Sequence, residues 1–235
     1  MVFLRRNRVL MTGPLLAVMA LSACVGGPEV RTVAPVKRPG AQQPRPSSLP
    51  NLAAGVSTRQ CMADLGAASV QYSALPDQRF DSGCSMLGSV KLIDIGTPVT
   101  NLGAMTCPLA KNFAAWARYG VRPAARQILG ADVVKIETMG TYNCRNINGA
   151  SGAATGRLSE HAHSNAVDVA AFVLDDGRRI AVRGGWKEGS SSERAFLKTI
   201  HNSACKRFAT VLSPDYNAAH YDHLHLDMGR GPFCR

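Results

Sequence analysis

The chain has 235 residues, with 27 Lys and Arg against 16 Asp and Glu, and a formal net charge of +11. No motif for nucleic-acid readout is present and the basic residues are scattered, so the charge suits an anionic polymer or a membrane face better than DNA or RNA. There is no internal repeat, and the length fits one domain of ordinary size plus an N-terminal extension.

Arg5, Arg6 and Arg8 form a positive block before the apolar run "VLMTGPLLAVMALSA". That is a secretory signal over residues 1–23, too short and wrongly flanked for a membrane span. It ends in Leu21, Ser22, Ala23 and Cys24, which resembles a bacterial lipobox and implies lipidation of Cys24. Each buried CH₂ of an acyl chain contributes about 0.8 kcal/mol, so the lipids would anchor the chain to a membrane. Val25 offers no retention signal, which favours the outer membrane over the inner, with the domain facing the periplasm. Residues 24–56 carry six prolines and few large apolar side chains, and read as an extended tether.

One domain is expected over residues 57–235. "CMADLGAASVQYSAL" has helical spacing, and "SVKLIDIG" reads as a strand. "TCPLAKNFAAWARYGVRPAARQILG" is the clearest helix. Thr106 is placed to cap it, Pro108 lies in its first turn, Gly130 follows its end, and Pro123 is expected to kink or split it. Leu109, Phe113 and Trp116 share a face and should be core. "DVVKIETMGTYNC" is a strand and turn. "AVDVAAFVLDDGRRIAV" is a hairpin with an Asp-Gly turn signal. "ERAFLKTIHNSACKRF" is a helix, and "DHLHLDMG" alternates as a strand. The class is α+β, with helices packed on a small, mainly antiparallel sheet.

Seven cysteines less the lipid-bearing one leave an even set, which in an exported domain implies three disulfides. Their grouping along the chain suggests Cys61–Cys84, Cys107–Cys144 and Cys205–Cys234. The absence of a CxxC pair argues against a thiolate zinc site.

The chemistry is concentrated in two stretches. In "SEHAHSNAVDVAAF", Asp168 leads into an apolar strand and a loop can fold His161 back beside it. In "DHLHLD", a strand puts His223, His225 and Asp227 on one face and Leu224 and Leu226 on the other. With the leucines inward, the histidines face a cleft. His161, Asp168 and one of these histidines would give a metal three protein ligands and leave a position for water. Spacing alone leaves that reading level with a set of surface histidines. His163 is expected in an exposed loop and His201 on a helix surface. His220 is a candidate cleft residue, and Asp227 is either an orienting carboxylate or an exposed strand end. Trp116 and Trp186 read as packing residues.

"SEHAHSNAVDVAAF" resembles the SxHxxGxAxD signature of the zinc peptidases grouped with lysostaphin, the D-alanyl-D-alanine peptidases and hedgehog. Ser159, His161, Ala166 and Asp168 match, and Ser164 stands where that group has Gly. More widely, "TYNCRN", "SEHAHSNAVDVAAFVLDDGRRIAV" and "SPDYNAAHYDHLHLD" resemble the bacterial extensin-like C-terminal domain family from Cys61 to Cys234. The resemblance implies a hedgehog and D-Ala-D-Ala-peptidase-like fold, with zinc held by His161, Asp168 and His225. It implies a general base at Asp222 or His223, between which strand parity favours His223, and a substrate-carboxylate or oxyanion role for Arg145. The implied activity is hydrolysis of peptidoglycan amide bonds involving D-amino acids. The rival from another class is a non-catalytic wall-binding or structural lipoprotein that keeps the metal-site fold.

Overall fold

The computed structural model describes residues 52–148 and 154–235. The signal, the lipobox and most of the tether lie outside the described residues. Helix α1 (Leu52–Ala67) begins inside the stretch read as tether and ends before a strand, β1 (Gln71–Ala74), so "CMADLGAASVQYSAL" is half helix and half strand. Ser69 takes a left-handed φ of 55° at the break. A short pair follows, β2 (Gln78–Arg79) with β3 (Ser85–Met86), and β1 then pairs with β4 (Ser89–Asp94). The strand β5 (Val99–Thr100) leads to β6 (Met105–Thr106), which pairs with β4.

The long helix is divided, as its proline predicts. Helix α2 (Cys107–Trp116) passes through a π-helical turn at Ala117–Val121 into α3 (Arg122–Leu129), with Pro123 in the first turn of α3. Pro lacks the N–H that the helix interior requires, and a first turn is where its absence costs least. Gly130 ends the run at φ 70°. Thr106 is the N-cap residue but gives no side-chain cap; its hydroxyl instead donates to Asn165 Oδ1 at 2.7 Å.

The main sheet is built next. Strand β7 (Val133–Gly140) is followed by the pair β8 (Asn146–Asn148) and β9 (Ala154–Leu158), then by the central strand β10 (Ala166–Leu174) and its hairpin partner β11 (Arg179–Ala181). A short turn, α4 (Val182–Gly185), leads to α5 (Ser191–Ala204), which opens with a Ser190–Glu193 capping box. Strands β12 (Thr210–Leu212), β13 (Leu224–Asp227) and β14 (Phe233–Cys234) complete the order β14-β12-β13-β10-β7-β5. Pairing is antiparallel from β12 to β7, and parallel at the two ends, β14 on β12 and β5 on β7.

One face of this sheet is packed by helices. Val167, Val169, Phe172 and Leu174 of β10, with Leu224 and Leu226 of β13, join Phe113, Trp116, Phe196 and Ile200 in one core. The core residues of β10 change parity between Val169 and Phe172. The register against β7 slips there, with Val169 opposite Thr138 and Ala171 opposite Glu137, so Ala170 is a bulge. Trp116 donates to the carbonyl of Ile200 at 2.9 Å and meets Phe172 edge-on, tying α2 to α5 and the sheet. A Cβ on Gly120 would lie 2.5 Å from Ser203 Oγ and 3.1 Å from Trp116 Cδ1, so any larger residue at this helix crossing would force Ser203 and Trp116 to shift. Among the described residues no helix is long and apolar enough to cross a membrane.

Three disulfides form, but two pair otherwise than neighbouring cysteines would. They are Cys61–Cys107, Cys84–Cys144 and Cys205–Cys234. Cys61 lies on α1 and Cys107 opens α2, so helix packing brings them together across 46 residues. The fold likewise closes the 60 residues between Cys84 and Cys144, and only the third pair follows chain order.

Candidate metal centre

The opposite face of β10 and β13 carries the polar cluster. Asp168 and His225 are cross-strand partners, so pairing alone sets their side chains together. His161 comes from the 3₁₀ turn Glu160–His163, where Ser159 Oγ accepts from the His161 N–H. Ser164 ends that turn at φ 54° and ψ 25°, the left-handed conformation that Gly adopts without strain. Its buried hydroxyl has no hydrogen-bond partner among the described residues.

Three ligand-type atoms converge. His161 Nε2 and His225 Nδ1 stand 3.2 Å apart. Asp168 Oδ2 lies 3.1 Å from His161 Nε2, and Asp168 Oδ1 lies 3.0 Å from His225 Nδ1. Tetrahedral zinc with bonds of about 2.0–2.2 Å sets its ligand atoms about 3.3 Å apart or slightly more, close to this triangle. The far side of each imidazole is also fixed. His161 Nδ1 faces the carbonyl of Thr141 at 3.1 Å, which can only accept, so Nδ1 carries a proton. His225 Nε2 donates to Asp227 Oδ2 at 2.9 Å. With both outer nitrogens acting as donors, two inner nitrogens aim at each other beside a carboxylate. A cation between them satisfies all three, and outer partners of this kind are what orient metal-binding histidines.

The electrostatics agree. Burial would raise the pKa of Asp168, but the imidazoles of His161 and His225 overcome it and hold the carboxyl well below the usual range. Burial would lower that of His225, and the carboxylates of Asp168 and Asp227 reverse the effect, pushing it up to about 9. Positive charge is therefore stabilised at this spot, as a proton or as a metal ion. Asp227, 5% exposed, is the buried orienting carboxylate and not an exposed strand end.

Beside the triangle, His223 Nε2 faces Asp168 Oδ1 at 3.5 Å. Its Nδ1 donates to Asp222 Oδ1 at 2.9 Å, so Asp222 sits behind His223 and not at the cluster. His220 packs against the rings of His223 and His225 and donates from Nδ1 to Asn217 Oδ1 at 2.7 Å. Burial, then the neighbouring imidazoles, pull its pKa down to about 4.

Part of this cluster borders a cavity of about 430 Å³, within the range of small-ligand sites. His220, His223, His225 and Asp227 line it. Arg145 lines it too; its guanidinium donates to the carbonyl of Asn146 at 3.2 Å and has no carboxylate partner among the described residues. Sequence reasoning missed the rest of the wall, including Arg230, Tyr216 and Phe233, because these residues belong to short segments without periodicity.

Two expectations need correction. His201 is not on a surface: it is 8% exposed, packed against the Trp186 ring and beside the Cys205–Cys234 sulfurs. Helix α5 turns that side inward, where the C-terminal strand is stapled to it. His163 is half-buried, with Nδ1 3.0 Å from Ser85 Oγ.

A family model described as "Extensin-like protein C-terminus" matches residues 59–235. Searches of curated proteins and of solved structures gave no match.

Proposed function

The chain belongs to the extensin-like C-terminal family, and we propose that it is a lipid-anchored zinc hydrolase of the cell envelope, cutting peptidoglycan amide bonds that involve D-amino acids. The observation that carries this reading is the convergence of His161 Nε2, His225 Nδ1 and Asp168 beside an open cavity, with His223 next to them. The match of Ser159, His161, Ala166 and Asp168 to the zinc-peptidase signature supports the choice of metal and bond. The envelope location and the anchor through Cys24 rest on the signal and lipobox.

His161, Asp168 and His225 would hold the ion. A divalent cation there supplies Lewis-acid activation of water and of the scissile carbonyl. His223 lines the cavity and its Nδ1 donates to Asp222, so in the neutral imidazole Nε2 is the nitrogen that accepts a proton. It is thus placed to take the proton from an attacking water and return it to the leaving amine. Asp222 fixes the tautomer and steadies the charge that His223 acquires. Arg145 offers its guanidinium to the carboxylate of the peptide or to the oxyanion.

The test incubates the full-length, zinc-loaded protein with cross-linked muropeptides and follows products by chromatography. The wild type should cleave them. His223→Ala should cut turnover roughly 10²-fold or more while retaining zinc, the scale of a lost general base. Asp222→Asn should do less, since the imidazole remains. A wild type that leaves every cross-link intact would give the site to a non-catalytic wall-binding protein. Full activity in His223→Ala would move the base elsewhere.

A further inference from the structure

We propose that Tyr216 and Phe233 form a subsite for a sugar ring on the wall of the same cavity, so that the substrate is a glycan-bearing peptide and not a free one. The identity of the sugar-bearing ligand rests on the peptidoglycan reading above.

The large rings of Phe113, Trp116, Phe172 and Phe196 are fully buried, whereas Tyr216 and Phe233 remain 44% and 40% exposed. Both line the cavity that His223 and His225 line. Their centroids are 5.6 Å apart and their planes meet at 80°, which makes a concave corner of two apolar walls. The corner is held in place. The Tyr216 N–H donates to the carbonyl of Ser213 at 2.9 Å, and its ring packs on His220. Phe233 lies on β14, paired to β12 and fixed at the next residue by the Cys205–Cys234 disulfide. Arg235 reaches over the Phe233 ring, 5.8 Å from its centroid, yet both rings keep about two fifths of their surface exposed, and aromatic rings held rigid in an open cavity suit a ligand with one apolar face.

Polar groups define that ligand further. Arg230 lines the same cavity, and Tyr216, which also lines it, carries a phenol. A pyranose has a C–H face for the rings and a rim of hydroxyl and acetamido groups for the guanidinium and phenol. An aliphatic side chain would use the walls and leave those polar groups without a partner. With the sugar in the corner, a peptide attached to it would extend along the cavity toward His223.

The experiment measures binding without turnover. Calorimetry on the full-length protein without added metal compares a disaccharide-tetrapeptide with the same tetrapeptide lacking sugar. The wild type should bind the sugar-bearing ligand about tenfold more tightly, the scale of one or two aromatic contacts. Tyr216→Ala should abolish that ratio and leave the affinity for the free tetrapeptide unchanged, and Tyr216→Trp should restore it. Equal affinity of the wild type for both ligands overturns the proposal, as does failure to bind either. Equal weakening of both ligands by Tyr216→Ala overturns it too and makes the corner a peptide subsite. Sugar-dependent binding in a protein that cleaves nothing would keep the subsite and remove the hydrolase; cleavage indifferent to sugar would do the reverse.

Discussion

Among the described residues, two clusters set a histidine beside two other residues of metal-binding type: His161 with Asp168 and His225, and His201 with Cys205 and Cys234. They are wired in opposite senses. In the first, the outer nitrogens are held by the Thr141 carbonyl and Asp227, and the inner ones face each other beside a carboxylate. In the second, the sulfurs are bonded to each other, and His201 Nε2 faces the carbonyl of Arg235 at 3.3 Å. Burial lowers the pKa of His201, while two carboxylates raise that of His225 to about 9. Close approach of donor atoms is thus common to both, and only the first has the charge and the outer partners that a cation requires.

The comparison breaks most clearly at the metal. Full-length wild type should carry one equivalent of zinc. His225→Ala should lose it, with affinity falling by more than the roughly 10–100-fold that loss of an outer partner costs. His201→Ala should keep it. Equal zinc in wild type and His225→Ala would sink the assignment. Loss only in a folded His201→Ala would transfer the ion to the other cluster.

The second cluster should reveal itself in stability instead. Replacing Cys205 and Cys234 together by Ser is expected to cost about 2–4 kcal/mol in denaturant unfolding, with zinc content unchanged. A stability equal to the wild type would mean that the staple is idle; zinc loss without unfolding would couple the two clusters.

The raised pKa of His225 sharpens the contrast through pH. Its Nδ1 must lose a proton before it can bind a metal, so zinc affinity should fall about tenfold for each pH unit below about 9. In the metal-free protein the sign is opposite. The protonated imidazole stabilises the fold fully below the unfolded pKa of about 6.5, and that contribution disappears as pH rises through about 9. Chelator competition across pH 6–9 measures the first effect and thermal melts of the metal-free protein the second. A flat affinity profile would remove His225 Nδ1 from the ligand set.

The smallest expected effect lies in the turn that delivers His161. Ser164→Gly removes a left-handed non-glycine residue and a buried hydroxyl with no partner among the described residues. A gain of about 1 kcal/mol should appear in thermal unfolding, net of glycine's added chain entropy. A loss would mean that the hydroxyl has a role not visible in its contacts.

Much of the site was legible because β-structure has period two. Leu224 and Leu226 had to face inward, and His223, His225 and Asp227 then had to share the other face. The divided helix was legible from Pro123 and Gly130. The disulfide partners of Cys61 and Cys84 were not, since helix packing and not chain order chose them. Strands β12 and β14 have three and two residues, too few for any alternation to register. The start of helix α1 was lost in the proline-rich stretch that precedes it, and His201 was misjudged because the Arg235 carbonyl that faces it lies 34 residues away.

The bulge in β10 bears on how this strand can change in length. Its core residues run Val167, Val169, then Phe172, Leu174, two phases of one alternation joined by Ala170. Deleting Ala170 would leave a single unbroken alternation, with Asp168 still turned away from the helices. Inserting one residue there would also restore a single alternation, because Val169 and the phenylalanine would then stand four positions apart, but a regular strand would carry its second half two residues out of step with β7. Loss and gain of a single residue therefore differ in register and not in which side faces the helices, and the loss keeps Ala171 opposite Glu137.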